Sequence, residues 1–243
     1  MRRIHRHELS SATRRFLQQR TEKVRLAVDP TAEARRLWGQ KSNKPFDEIR
    51  LTLRAMASGR ERCMYCEDSA GTDIEHFWPK SEYPLRAFDW PNYLLACSHC
   101  NSNEKRDRFL LDGNAEPLLI DPTREDPRHH LVFSPTTGKY SRKPGSAKGE
   151  PSIEVFGLHR TILVIGRRDA WVGLEALLAA YASSFEKGDT EYARRLEAAV
   201  RNASFRGILS FMLEIAEGPE AEELIRPSCL QALRDHPEIH SWV

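Results

Sequence analysis

The chain has no apolar run approaching the roughly 20 residues that cross a bilayer, and its start, MRRIHRHELSSATRR, lacks the apolar core of a secretory leader. Both absences lead to the expectation of a soluble, cytoplasmic protein. Cysteine is sparse, five residues in 243, and in a reducing compartment a disulfide framework is not expected. Neither sign of charge dominates: 37 Lys and Arg face 35 Asp and Glu, a formal charge of +2, so the total neither favours nor excludes nucleic-acid binding. There is no internal repeat, no low-complexity tract and no G-x-x-x-x-G-K-[ST] loop. Any nucleotide hydrolysis would therefore belong to another chain.

What is present is a 40% hydrophobic fraction, enough for a core, and an uneven distribution of charge. Arg2, Arg3, Arg6, Arg14, Arg15, Arg20, Lys23 and Arg25 make the amino-terminal stretch basic, and Glu214, Glu217, Glu220, Glu222 and Glu223 make a late segment acidic. Solvated helix faces explain such runs, as does orientation on a polyanion or between partners.

Periodicity predicts helices over 1–60, where Phe46, Ile49, Leu53 and Met56 recur at helical spacing and Pro30 and Pro45 sit where helices begin. The segment 61–110 is a compact unit in which NYLLA (92–96) reads as a short strand and CSHCNSNEKRDRF turns helical after its second cysteine. Loop-rich sequence fills 111–156, with a hairpin expected around Thr137 and Gly138. From 157 to 243 helices return, one with Trp171, Leu174, Leu178 and Tyr181 on a face and another with Phe205, Ile208, Leu209 and Met212. The expected class is α+β, predominantly helical, with a small metal-stabilised strand, strand, helix element between two helical regions.

Four of the five cysteines form two C-x-x-C pairs, Cys63 with Cys66 and Cys97 with Cys100. Each pair lets two sulfurs converge on one ion, and four soft ligands favour a tetrahedral zinc with no open position, hence a structural one. Removing it is expected to unfold the middle of the chain. Cys229 stands apart as a small buried hydrophobe.

Between the pairs lies DIEHFWPK (73–80), which sets Glu75 and His76 side by side; Asn92 follows, and the second pair runs straight into Asn101 and Lys105. An acid-histidine dipeptide alone is ordinary surface decoration. In this order, C-x-x-C, Glu75-His76, Asn92, C-x-x-C-Asn101, the chain resembles the HNH or ββα-metal nucleases. The strings YCE, IEHFWPKSEYP, FDWPNYLLACSHCN and LLIDPTREDPRHHLVF are similar to the HNH subunit of Septu anti-phage systems, PtuB, and its retron-associated relatives. The likeness is strongest from Cys63 to about Phe133, weaker over GLHRTILVIGRRDAW (157–171), and silent on 1–60 and the final 50 or so residues.

That resemblance implies a metal-dependent endonuclease acting on DNA. His76 would be the general base, since an imidazole titrating near neutrality can take a proton from water. Glu75 would point to the other side of an extended segment and, with Asn101, match the positions that hold one hard cation, Mg2+ or Mn2+. Asn92 would pin the loop that orients the histidine. Lys80, Lys105, Arg106 and Arg108 would contact the nucleic-acid backbone, Lys105 fitting the pattern best. Asp73 would either help the metal or shape a turn, the turn being preferred; His99 reads as a polar residue and not a zinc ligand, His129 and His130 as structural, and Phe77, Trp78, Trp90 and Tyr93 as core rather than base-stacking. The partner implied is an ABC or SMC-like ATPase, PtuA. The alternative is a zinc-stabilised nucleic-acid-binding or adaptor module without turnover.

Overall fold

Helix formation at the amino end follows the local chemistry of caps and apolar spacing. In the computed structural model, which describes residues 1–41 and 43–243, α1 spans Ser11–Leu26, α2 Pro30–Trp38 and α3 Lys44–Met56. The side chains of Ser10, Asp29 and Asn43 each accept a hydrogen bond from a first-turn amide of the helix that follows, which satisfies donors the helix cannot. Pro30 and Pro45 occupy first-turn positions where a missing N–H costs nothing. Phe46, Ile49, Leu53 and Met56 form the buried stripe of α3. That stripe lays α3 against the middle of the chain.

In the middle, β1 (Asp73–His76) pairs antiparallel with β2 (Tyr93–Ala96), Glu75 opposite Leu94 and His76 opposite Tyr93. The following helical turn, His99–Lys105, is wide: the Arg106 amide reaches back five residues to the Asn101 carbonyl at 2.9 Å. A second small ladder, β3 (Leu131–Phe133) with β4 (Tyr140–Arg142), closes through Gly138 at φ +70°. There a side chain would meet the backbone of Val164.

The carboxy-terminal body contains α4 (Gly149–Val155), α5 (Thr161–Glu186), α6 (Thr190–Asn202), α7 (Gly207–Ala216), α8 (Ala221–Leu224) and α9 (Pro227–Asp235). The long α5 packs on α6, α7 and α9 through buried Trp171, Leu174, Leu178 and Tyr181, each worth roughly 1.5–3 kcal/mol of burial. One contiguous core runs from Met1 to Trp242. The molecule is thus predominantly helical with two small sheets, and among the described residues no helix is long and apolar enough to cross a membrane.

The middle segment carries more core than its composition suggests: Met64, Tyr65, Phe77, Phe88, Tyr93, Leu94 and Leu95 are each at most 2% exposed. Its apolar residues are shared with both helical flanks, which qualifies the expectation that metal alone holds it together. Cys229 is buried, its sulfur 3.8 Å from Met212 Sδ.

Candidate metal centre and cleft

Two features meet on the β1–β2 ladder. In one, the thiols of Cys63, Cys66, Cys97 and Cys100 converge, all four sulfurs lying within 4.8 Å of one another and Cys66 Sγ standing 4.0 Å from Cys97 Sγ. Four sulfurs around zinc, with bonds of about 2.3 Å, would stand roughly 3.8 Å apart. All five cysteines are free and buried. Burial pushes the Cys63 thiol well up, whereas hydrogen bonds from Cys100, Cys63 and Cys66 draw Cys97 far down. Such a proton-sharing set cannot fully ionise without a cation among its members, and the four cysteines could hold a zinc ion. Among the described residues no other group of three or more His, Cys, Asp or Glu converges in this way.

Beside this cluster a cleft of about 640 Å³ runs along β1, lined by Thr72, Asp73, Ile74, Glu75 and His76 in succession. Residues from both faces of the strand reach it because β1 pairs with β2 alone among the described residues and leaves its other edge free. Lys80, Asn101 and Arg106 also line this cleft.

The His76 ring nitrogen Nε2 lies 3.0 Å from the Ala87 carbonyl, an acceptor that requires Nε2 to carry the proton. Nδ1 then keeps its lone pair and has no hydrogen-bond partner among the described residues. Burial, then the charge of Lys80, pushes the His76 pKa down to about 3, so the imidazole is neutral at physiological pH, and its titration lies well below the near-neutral range expected from sequence. Trp38 holds it from one side, ring centroids 4.3 Å apart, and Tyr93 from another at 5.3 Å.

Glu75 is 4% exposed and Lys105 is fully buried, with Lys105 Nζ 2.7 Å from Glu75 Oε1. The ammonium gives its aligned hydrogen bond to the His76 carbonyl at 3.0 Å, leaving Glu75 Oε1 without an aligned donor. Lys105 therefore departs from the expectation of a backbone contact: a fully enclosed ammonium cannot meet a phosphate in solvent. Arg108 is exposed, pairs with Glu154 at 2.7 Å and lies outside the cleft lining.

Asn92 is buried and bidentate toward the loop after β1. Its Oδ1 accepts from the Trp78 amide at 2.7 Å, and its Nδ2 donates to the carbonyls of Trp78 and Arg86 at 3.0 and 2.9 Å. Ala87, which orients His76, follows directly. Asp73 is not a turn residue but opens β1, and Asn101 Nδ2 donates to its Oδ2 at 3.0 Å. Being two residues from Glu75, it shares that residue's face of the strand, a period-2 signal present in the sequence. Residues with hard oxygen atoms, Asp73, Glu75 and Asn101, thus border one cleft, with Glu75 Oε1 already facing the Lys105 ammonium. The oxygens suit Mg2+ or Mn2+ in type.

Trp38, Lys41 and Arg50 line the same cleft from the amino-terminal helical region, and sequence reading did not place them there. The charge of Lys41 and Arg50 was visible; the arrival of all three beside His76 depends on how α2 and α3 dock. Phe77, Trp78, Trp90 and Tyr93 are buried. His99 is exposed and pairs with Glu104 at 3.0 Å, whereas His130 sits between Ser146 and Glu125.

No family model matches the chain. It is 32% identical over 143 residues to Septu protein PtuB of Bacillus mycoides (strain KBAB4), covering 47% of this chain and 48% of that protein. It is 29% identical over 144 residues to Septu protein PtuB of Bacillus thuringiensis, covering 57% of this chain and 49% of that one. The chain is related to PtuB. It spans about half the length of the curated PtuB relatives it matches, so the kinship concerns that shared part.

Proposed function

We propose that the chain is a metal-dependent HNH endonuclease that hydrolyses DNA phosphodiester bonds as the nuclease of a Septu-type anti-phage complex, under the control of a partner ATPase of the ABC or SMC-like class, PtuA. The observation that carries the reading is His76, fixed through Nε2 on the Ala87 carbonyl with Nδ1 free, in a cleft that also contains Asp73, Glu75 and Asn101. The relation to Septu PtuB supports the defence setting.

In this mechanism Nδ1 of His76 takes the proton of the water that attacks phosphorus, while the Ala87 bond prevents the ring from turning away. Asn92 keeps that carbonyl in place by holding the loop that leads to it. Glu75 and Asn101, joined by Asp73, would hold Mg2+ or Mn2+, which supplies charge neutralisation at the scissile phosphate and the leaving oxygen. Lys80, Arg106, Lys41 and Arg50, which all line the cleft, receive the flanking phosphates. Zinc at the four cysteines holds the end of β2 and the turn that carries Asn101.

The test is incubation of purified protein with supercoiled plasmid and Mg2+, alone and with the partner ATPase, beside His76→Ala. Cleavage by the native chain, lost in the variant at equal zinc content, supports the nuclease. Absence of cleavage by the native protein under every condition, with DNA still bound, would favour a binding or adaptor module.

A further inference from the structure

The string GLHR at 157–160 lies outside both the cysteine pairs and the cleft, yet it ends against the metal centre. Arg160, the residue that precedes α5, places Nη2 3.2 Å from Cys100 Sγ and Nη1 3.1 Å from Glu104 Oε1. Cys100 and Glu104 sit on the same wide helical turn as Asn101. Gly157, at φ +56°, lies directly over the Glu104 carboxylate, which any side chain there would overlap. Glu104 Oε1 also faces His99 Nε2 at 3.0 Å.

We propose that Arg160 is a positioning residue of the four-cysteine site, gripping a ligand sulfur and Glu104 together and so fastening the carboxy-terminal body to the turn that carries Asn101. The inference rests on the zinc reading of the cysteines. Four thiolates around a dication leave two negative charges in a site where Cys63 and Cys100 have no exposed surface. An N–H donor to sulfur spreads that charge and steadies the ligand's direction. A guanidinium suits the task because it stays charged and offers parallel donors from one rigid plane, one for sulfur and one for carboxylate. A lysine would keep the charge without the fork.

The test uses the full chain loaded with zinc, and separately with cobalt, as Arg160→Gln, Arg160→Lys and Glu104→Gln. Zinc loss to a chromogenic chelator is expected to accelerate by about tenfold or more in Arg160→Gln, with Arg160→Lys intermediate. The sulfur-to-cobalt charge-transfer band should move to lower energy in Arg160→Gln, because a sulfur relieved of a hydrogen bond gives up its electrons more readily. A purely structural arginine would not shift that band. Should the arginine variants fail to fold, Glu104→Gln strips the charge from the other half of the grip while retaining Arg160 and an acceptor oxygen, and faster zinc loss is expected there also. Native zinc kinetics and an unmoved band in the folded variants would overturn the inference alone. A native chain that takes up neither zinc nor cobalt would overturn the zinc reading together with it.

Discussion

Glu75 and Lys105 are an ion pair withdrawn from water, and such a pair costs more to break than to replace whole. Lys105→Ala leaves a buried carboxylate with no counter-charge and frees the His76 carbonyl, so it should destabilise by about 3–5 kcal/mol in urea unfolding. Glu75→Gln combined with Lys105→Met should recover part of that loss; a double variant no more stable than Lys105→Ala would show that the pair's charges are not the source. His76→Ala, by contrast, removes a proton acceptor, and plasmid cleavage should fall by roughly 10²–10⁴-fold with zinc content unchanged. Asp121 supplies the pH argument. Burial, opposed by hydrogen bonds from Thr123, raises its pKa, so the folded state takes up a proton at higher pH than the unfolded chain. Its stabilising contribution is complete below the unfolded value of about 3.9 and is lost as pH rises through the folded value. Asp121→Asn keeps an oxygen for the Thr123 amide and should remove this part of the slope when urea midpoints are compared across the acid range; an unchanged slope would assign it elsewhere.

Among the elements, those with a regular period were readable. The Phe46, Ile49, Leu53 and Met56 stripe yielded α3, the 171–181 face yielded part of α5, and NYLLA yielded β2. The metal set was legible as well, because two C-x-x-C turns can meet on one ion with little help from the rest of the fold. Asp73 was misjudged because a four-residue strand offers too few alternations to display its period. Lys105 was misjudged for a different reason: lysine is so seldom fully buried that only tertiary packing could enclose it. The loop from Phe77 to Asn92 has no regular period, and besides its short turns one buried amide, Asn92, ties its two ends together. Asn92→Ala would leave the Trp78 amide and carbonyl without their partner, each costing about 1–3 kcal/mol when buried, and would leave the Arg86 carbonyl with only the Asp89 amide. Thermal unfolding should show a large loss, and cleavage should fall beyond what stability explains, because Ala87 no longer fixes His76. Cleavage that stays at the native level in folded protein would detach the loop from the chemistry.

For the whole molecule, the basic amino-terminal region acquires its meaning only from docking. Arg20 lays its guanidinium 4.6 Å from the Phe16 ring and donates to the Leu37 carbonyl, joining α1 to α2. Trp38 at the end of α2 then packs on Phe46 and His76 at once. Lys41 and Arg50 are carried to the cleft that Lys80 and Arg106 also line, while Arg14 and Arg25 remain on exposed surface. Nothing in residue spacing could have divided the arginines into these groups. If the cleft grips a polyanion, Lys41→Ala and Arg50→Ala should each weaken DNA binding uniformly across sequences, and each should reduce the slope of log K against log salt by about 1. The measurement is fluorescence anisotropy in the His76→Ala background, which binds without cutting, with Arg14→Ala as a surface control. Equal slopes in all three variants would mean that the cleft does not neutralise phosphates and that the charge beside His76 serves the fold; a change confined to Arg14→Ala would move the nucleic-acid surface to the outer face of α1.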